Sequence, residues 1–287
     1  MSRIGLVYDR IRWEEKALID ASRNLGLEVK LTDLKKIYLN TAEECKKVRS
    51  EFGDLVIQRC ISYFRGLHIT AILENSGLQV INPFKVSLIC GNKLFTILAL
   101  IKAGLPVPKT LIAFTNEGVM KALETLGYPA VLKPVVGSWG RLIALIKDKE
   151  TAQALIEARR EIQNALLHIY YLQEYVKRPP RDIRLLTIGD EVVAAAYRYS
   201  AEGDWRTNVA RGGKMEPCPI TDELAELAIK ASEAVGGGVL AVDCMESPEG
   251  TVVHEINNTP EFKGLCSATK INIPEKIIKY AVKVLKR

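Results

Sequence analysis

The sequence predicts a mixed α/β protein, and three observations support this. Short apolar runs typical of strands alternate with amphipathic runs typical of helices, and glycine or proline stands at many of the junctions. The 287 residues are 48% hydrophobic and 26% charged, a globular composition that excludes disordered, fibrous and membrane-embedded classes. At about 100–200 residues per domain, this length predicts about two domains with a substantial core.

Residues 1 to about 90 predict an open, largely parallel sheet with helices between its strands. Ile4–Tyr8 is a short apolar strand, and the charged amphipathic stretch Trp13–Leu25 after it ends at Gly26, a usual helix stop. A long helix is predicted over Ser87–Ala103, ending at Gly104. The other elements predicted here are strands at Leu27–Leu31, Leu55–Gln58 and Gln79–Ile81, and helices at Ala42–Glu51 and Leu67–Asn75.

The character of the chain changes after Lys109, where the order of elements predicts a small α+β subdomain. Its predicted strands and helices are Thr110–Phe114, Asn116–Leu126 (helix), Pro129–Lys133, Leu142–Ile146 and Thr151–Ile162 (helix). The predicted elements beyond it are strands Ile169–Val176, Arg184–Ile188 and Val192–Tyr197, helix Asp222–Val235, a hairpin of Val239–Glu246 with Thr251–Asn257, and helix Asn272–Leu285.

Charge, cysteine usage and missing motifs argue against several function classes. Lysine plus arginine number 40 and aspartate plus glutamate 34, and this modest, unclustered excess of +6 argues against a nucleic-acid groove. Six cysteines without a C-x-x-C pair, and no export signal or long apolar span, predict a cytoplasmic protein without a membrane segment. No P-loop, dinucleotide-binding or G-x-S-x-G motif occurs, and the three histidines lack metal-ligand spacing.

A lysine followed by a glycine-containing loop is the first candidate site. Lys133 ends an apolar strand, and Gly137-Ser138-Trp139-Gly140-Arg141 supplies two glycines, a hydroxyl group and an arginine. Backbone N–H groups of such a loop cradle phosphate, and a lysine beside them adds positive charge. The alternative is a hairpin turn with an outward-pointing lysine.

The predicted carboxyl-terminal hairpin is the second candidate site. Because side chains alternate along a strand, Glu255 and Asn257 share one face. If the loop is the five residues Ser247–Thr251, Asp243 lies across from Glu255, and three oxygen-bearing side chains form a site suited to Mg²⁺ and nucleotide phosphates. A four-residue loop shifts the register by one and separates the carboxylates. The alternative interpretation is a polar stripe facing solvent.

A series of arginines in the second half of the chain is the third candidate feature. Arginines spread in this way usually form surface ion pairs worth about 0–1 kcal/mol each. They bind phosphate and carboxylate groups only if they converge on one pocket. The series is Arg181, Arg184, Arg198, Arg206 and Arg211.

Several short motifs, taken together, carry a resemblance to a known family. They are Lys93, Lys133–Arg141, Tyr171–Val176, Arg181–Arg184, Asn208–Gly213, Asp243 and Glu255–Asn257. Three further segments are Tyr8–Arg12, Gly137–Arg141 and Pro260–Lys263. The first set resembles the ATP-grasp superfamily and, within it, the RimK-like amino-acid ligases; the second resembles the narrower LysX/ArgX group, which joins an amino acid to the carrier protein LysW.

The resemblance runs nearly end to end and implies an ATP-grasp fold in three parts. These are an N-terminal parallel-sheet domain over 1–90, a small α+β central subdomain with the phosphate loop over 91–168, and a C-terminal mixed-sheet subdomain over 169–287. Family members assemble as homodimers or homotetramers, so one of these states is expected.

The resemblance also implies roles for individual residues. The implied ATP contacts are Lys93, Lys133, the loop residues Gly137, Ser138, Trp139, Gly140 and Arg141, the adenine hinge Gln173, Glu174, Tyr175 and Val176, and Arg184. The implied ligands of two Mg²⁺ ions are Asp243, Glu255 and Asn257. The implied catalytic arginines are Arg184, Arg198 and Arg211. The implied amino-acid contacts are Arg198, Asn208, Glu261, Phe262, Lys263, Gly264 and Leu265.

The implied chemistry is ATP-dependent amide formation through an acyl phosphate. In the group, the terminal glutamate of a small acidic LysW-type carrier supplies the carboxylate, and glutamate or 2-aminoadipate supplies the α-amine. Gly264-Leu265 resembles the Gly-Phe pair of glutamate-selecting members more than the Asn-Ser or Asn-Thr pair of aminoadipate-selecting ones. This favours glutamate, while 2-aminoadipate, both substrates, another acceptor, or a nucleotide-binding regulatory module without turnover remain the alternatives.

Overall fold

The computed structural model describes residues 3–42, 44–207 and 212–286. Its first sheet contains β1 (Arg3–Tyr8), β2 (Glu28–Asp33), β3 (Leu55–Gln58) and β4 (Gln79–Ile81), all parallel and in the order β2-β1-β3-β4. The connecting helices are α1 (Trp13–Asn24), α2 (Cys45–Phe52) and α3 (Tyr63–Asn75). All four residues of β3 are buried, as expected for a strand in the middle of a parallel sheet. The predicted open parallel sheet is confirmed.

The long helix predicted over Ser87–Ala103 is wrong, because the chain forms two helices there. α4 (Phe84–Cys90) and α5 (Lys93–Lys102) meet at an angle of 103°. Gly91 packs so closely against the ring of Tyr63 that a Cβ atom would lie 1.8 Å from it, and the Asn92 side chain caps α5 by accepting from the Leu94 N–H. These two residues break the helix at the point where the apolar pattern continues.

No single helix in the described ranges is long and apolar enough to cross a membrane. α4 and α5 together reach that length and composition, but only as a sharply bent pair.

Two antiparallel sheets complete the mixed α/β architecture. The second sheet contains β5 (Thr110–Ala113), β6 (Ala130–Lys133), β7 (Ala144–Ile146) and β8 (Tyr170–Glu174) in the order β5-β8-β6-β7, with helices α6 (Asn116–Leu126) and α7 (Lys149–Arg160). The third sheet contains β9 (Arg181–Ile188), β10 (Glu191–Tyr199), β11 (Lys214–Pro217), β12 (Val239–Ser247) and β13 (Gly250–Asn257) in the order β11-β10-β9-β12-β13. Its helices are α8 (Asp222–Val235), α9 (Lys263–Thr269) and α10 (Ile273–Leu285).

The predicted α/β fold class is confirmed. The third sheet was expected to be mixed, but its described strands are all antiparallel. The structure also adds one strand and one helix. Neither β11 nor α9 was predicted. β11 carries no apolar run, and α9 is only seven residues long, too short to display a helical period. Sequence patterns of this length do not distinguish a short edge strand or a two-turn helix from a loop.

The first and third sheets are joined by a shared core and by one asparagine. A single apolar cluster contains residues of β1, β3, β9, β12 and α10. At the end of β4, the Asn82 side chain donates to the carbonyls of Val239 and Asn258 and accepts from the Val239 N–H, each at 2.7 Å. The carboxyl ends of the parallel strands therefore face the third sheet, and the predicted domain limits at residues 90 and 168 stay a prediction.

Candidate functional site

A large cleft lies where the three sheets meet, and residues of each sheet line it. Gln58 ends β3 of the parallel sheet, Lys133 comes from the second sheet, and Asp243 comes from the third. Eight lysines and arginines against five aspartates and glutamates line the cleft among the described residues. The cleft is therefore suited to an anionic ligand such as a nucleoside triphosphate.

The hairpin of β12 and β13 pairs Asp243 with Glu255, but not through the predicted loop. The five-residue loop Ser247–Thr251 is wrong, because Ser247 pairs with Gly250 across a two-residue turn. Regular pairing from that turn would place Asp243 opposite His254. A β-bulge shifts the register between Cys244, which pairs with Val253, and Asp243, and thereby restores the Asp243–Glu255 pair. The bulge leaves His254 as the extra residue.

Asp243 is buried and held by two arginines of neighbouring strands. Arg184 donates from Nε and Nη2 to both carboxylate oxygens at 2.8 Å, and Arg198 Nη2 lies 3.0 Å from Oδ2. Burial alone would raise the pKa of Asp243, but the two guanidinium groups outweigh burial and hold the pKa well below its usual range. Asp243 is therefore ionised at neutral pH.

Arg198 forms a second bidentate pair that sequence analysis missed. Its Nε and Nη2 donate to Asp182 at 2.7 and 2.8 Å, and the Thr207 hydroxyl group also donates to this carboxylate. Asp182 and Arg184 are two residues apart in β9, and Arg198 of β10 lies opposite Asp182. Strand alternation is therefore the signal that could have linked these three residues.

Glu255 is linked to the amino end of α5. Lys93 Nζ lies 3.3 Å from Glu255 Oε1 and donates to the Gly137 carbonyl at 2.7 Å. Burial by itself raises the pKa of Glu255, but the charges of Lys93, His254 and Lys133 together outweigh burial, and the net pKa lies below its ordinary value. One lysine thus contacts both the glycine-containing loop and the hairpin.

Lys133 lies buried at the end of β6, not exposed on a hairpin turn. Its Nζ donates to Gln173 Oε1 at 2.6 Å, and the Gln173 amide donates to the hydroxyl groups of Thr110 and Tyr171 at 3.1 Å. Burial lowers the pKa of Lys133 to about 8, although the Glu255 charge partly opposes this effect. Gln173, the first residue of the predicted adenine hinge, therefore orients Lys133.

The loop from Gly137 to Ile143 closes one side of the cleft. Gly137, Ser138, Trp139, Gly140 and Arg141 all line it, and the Arg141 guanidinium lies over the Trp139 ring, 4.9 Å from its centroid. Trp139, Gly140 and Leu142 have φ values of 57°, 66° and 57°, so the loop runs through the left-handed region repeatedly.

The remaining hinge residues also line the cleft. Glu174 ends β8, and its carboxylate accepts from the Lys109 N–H at 2.7 Å. Tyr175 lies edge-on to Trp205 with ring centroids 6.1 Å apart, and Val176 follows it along the cleft. This end of the cleft is aromatic and suited to a planar base.

Only part of the predicted amino-acid contacts reach the cleft. Arg198 and Glu261 line it, and Glu261 pairs with Arg12 at 2.6 Å. Phe262 and Leu265 are fully buried in the apolar core that joins the sheets, and Gly264 packs against Met215. Lys263 begins α9, and neither it nor these three residues line the cleft. The predicted site residues Asn208 and Arg211 lie outside the described residues.

The hairpin offers ligands that suit Mg²⁺. No group of three His, Cys, Asp or Glu side chains within residues 3–42, 44–207 and 212–286 is placed to hold a metal ion. Mg²⁺, however, is commonly bound by one or two carboxylates together with substrate phosphates, and Asp243 and Glu255 supply two ionised carboxylates. Asn257 Nδ2 donates to Asp243 Oδ2 at 3.3 Å, so a flipped amide would present its oxygen instead. The donor set therefore fits the metal.

Two domain families match consecutive parts of the chain. The LysX preATP-grasp domain matches residues 4–89, and the RimK-like ATP-grasp domain matches residues 90–281. Among solved structures, a RimK domain ATP-grasp protein from Sphaerobacter thermophilus has a TM-score of 0.78 at 24% identity, covering 98% of this chain and 100% of the other. That similarity shows the shared fold.

Curated relatives cover almost the whole chain. The α-aminoadipate–LysW ligase LysX of Sulfurisphaera tokodaii is 39% identical over 282 residues, 96% of each chain. The glutamate–LysW ligase ArgX of the same organism is 36% identical over 281 residues, 97% of each chain. The resemblance seen in the sequence motifs is confirmed: the chain belongs to the RimK-like ATP-grasp ligases and carries a LysX preATP-grasp domain.

Proposed function

We propose that this ligase forms an amide between the side-chain carboxylate of the terminal glutamate of a small acidic LysW-type carrier and the α-amine of glutamate. The observation that carries the proposal is the cleft in which Lys93 and Lys133 face the ionised pair Asp243 and Glu255. The two curated relatives, both LysW ligases, support the carrier as the acceptor. The excess of basic residues around the cleft agrees in sign with an acidic partner and favours fast association.

The groups of the proposed nucleotide site come from the second and third sheets, from the Gly137–Ile143 loop and from α5. The aromatic end near Tyr175 takes the base, and Lys93 and Lys133 neutralise phosphate charge. The backbone N–H groups of Gly137–Arg141 cover the phosphates. Mg²⁺, when held by Asp243, Glu255 and Asn257, supplies further charge neutralisation. These contacts stabilise a transferring phosphoryl group by position and charge, without a nucleophilic side chain.

The proposed reaction proceeds in two displacements. An oxygen of the carrier carboxylate attacks the γ-phosphorus, the bond to the β-phosphate oxygen breaks, and ADP leaves. The neutral amine then attacks the acyl carbon, the bond from that carbon to the phosphate oxygen breaks, and the nitrogen loses a proton to the departing phosphate to leave the amide. Arg184 and Arg198 keep two positive groups beside the reacting centre, because the pair formed with Asp243 holds both in place.

Glutamate is the proposed amino acid because Gly264-Leu265 resembles the glutamate-selecting pair. Neither residue of the pair lines the cleft, so the proposed effect of the pair on selectivity is indirect. One methylene separates glutamate from 2-aminoadipate, and a methylene typically supports only about 10- to 200-fold discrimination.

The identity of 39% with an α-aminoadipate–LysW ligase favours 2-aminoadipate as the second candidate substrate. The corresponding identity with a glutamate–LysW ligase is 36%, and the difference is too small to choose between them. The assay must therefore offer both amino acids.

Intact-mass analysis of an acidic LysW-type carrier tests the proposal. The carrier is incubated with the protein, ATP and Mg²⁺, and glutamate and 2-aminoadipate are offered separately while ADP is measured. The expected result is a gain of one glutamyl unit, with one ADP formed per unit. A carrier that lacks its terminal glutamate is the matched control and should gain no mass.

The possible outcomes separate the competing interpretations. A gain of the aminoadipyl unit alone would replace glutamate by the second candidate, and a gain of either unit would indicate a shared enzyme. ADP formed without a mass gain on the carrier would point to another acceptor. No ADP formation under any condition would contradict the proposed function and favour a regulatory module.

A further inference from the structure

Arg159 occupies an unusual position on α7, the helix that follows the Gly137–Ile143 loop and strand β7. The buried residues of this helix are Ala152, Ile156 and Arg159, a spacing that places all three on one face. Arg159 is only 7% exposed. An apolar residue would suit this position, so the guanidinium conflicts with the local pattern and suggests a role other than packing.

The guanidinium of Arg159 contacts the loop that closes the cleft. Its Nη2 donates to the carbonyl of Leu142 at 3.0 Å. Its Nη1 is buried and has no hydrogen-bond partner among the described residues. Burial lowers the pKa of Arg159, but an arginine stays charged in proteins. One buried charge thus holds a backbone carbonyl and keeps a second donor unused.

Few other contacts hold this loop. At its beginning, Lys93 Nζ donates to the Gly137 carbonyl at 2.7 Å, and inside it the Arg141 N–H donates to the Ser138 carbonyl at 3.3 Å. The bond from Arg159 lies at the opposite end, next to Leu142 with its left-handed φ of 57°. The two ends of the loop are therefore each tied by one cation.

We propose that Arg159 is a positioning residue for nucleotide binding. It holds the carboxyl end of the Gly137–Ile143 loop, so that the loop is ordered before the nucleotide arrives. Its Nη1 would donate to a second loop carbonyl when the loop settles on the phosphates. The inference rests on the proposed function in one respect, namely that this loop covers the nucleotide phosphates.

Stability and nucleotide affinity should respond differently to the loss of Arg159, which separates a positioning role from a structural one. A buried guanidinium with an unsatisfied N–H costs stability, whereas methionine has a similar length and fills the same space without a charge. Replacing Arg159 by methionine should therefore leave the melting temperature unchanged or raise it. The same change should weaken nucleotide binding, because the free-energy cost of ordering the loop then reduces the binding free energy.

The test compares Arg159→Met, Arg159→Lys and the control Arg160→Met in the full chain. Arg160 is the next residue of α7 and is exposed. The measurements are ADP affinity by calorimetry, amide hydrogen exchange without nucleotide, and the melting temperature. We expect about tenfold weaker ADP binding for Arg159→Met, the factor typical of one hydrogen bond from a charged group. We also expect faster exchange confined to 137–143 and partial recovery with lysine.

Three results would overturn the inference. They are ADP binding by Arg159→Met equal to that of the wild type, unchanged exchange in the loop, or a lower melting temperature with faster exchange throughout α6 and α7. If the wild-type protein binds no nucleotide, the proposed function fails instead, and exchange in the ligand-free loop still decides whether Arg159 holds it.

Discussion

Replacing Glu255 by glutamine tests the proposed metal site with little disturbance of the fold. The Glu255 side chain is 25% exposed, and its ion pair is the one with Lys93 at 3.3 Å. Unit charges at this distance attract by about 5 kcal/mol at an effective dielectric constant of 20, but desolvation and solvent screening leave a net contribution of about 1 kcal/mol. We therefore expect a loss of about 1 kcal/mol in the free energy of unfolding, or about 2–4 °C in melting temperature.

Activity should fall far more than stability in this variant. A metal ion contributes several kcal/mol of charge stabilisation in the transition state, and 1.4 kcal/mol corresponds to tenfold, so ADP formation should fall by about 1,000-fold. The assay is carrier-dependent ADP release at saturating amino acid, with thermal unfolding measured on the same preparation.

Glu246→Gln is the matched control for this experiment. Glu246 lies in the same hairpin, its side chain is 29% exposed, and it forms a bidentate pair with Arg181 at 2.8 and 2.9 Å outside the cleft. This variant should lose comparable stability and keep wild-type ADP release. Wild-type turnover by Glu255→Gln, or an equal loss in both variants, would refute the reasoning.

Three further predictions follow from buried contacts of the site. Burial lowers the pKa of Lys133 to about 8, so the binding of phosphate should protonate this amine above pH 8. Calorimetry at pH 9 in buffers of different ionisation enthalpy should therefore show proton uptake. The uptake should vanish at pH 7 and in Lys133→Met. Arg184→Lys should lose the bidentate bond to Asp243 and reduce kcat/KM for ATP at least tenfold, and an unchanged value would contradict its role. Gly264→Asn would place a Cβ 2.4 Å from Met215 Sδ, but this flexible, half-buried side chain can move aside, so the melting temperature should fall only slightly; a large fall that Met215→Ala does not reverse would contradict this explanation.

Local patterns predicted much of the fold correctly for a physical reason. β3 and β4 have the predicted limits, since each is a short apolar run bounded by turn residues, and α6 and α8 agree for the equivalent reason of helical period and capping. The break between α4 and α5 was missed because the apolar pattern continues through Gly91 and the Asn92 cap; the close packing of Gly91 on the Tyr63 ring is visible only in the structure.

The sequence by itself determined the α/β class, the ATP-grasp ligase family and many of the charged side chains that line the cleft, because periodicity and short motifs are local properties of the chain. Only the tertiary structure decided that Asp243 faces Glu255, since the register depends on a bulge at His254 that no local pattern indicates. It also decided that Phe262 and Leu265 are core residues and that Arg159 points to the loop. Partners and burial of this kind arise from contacts between segments far apart in the chain, which residue spacing alone does not encode.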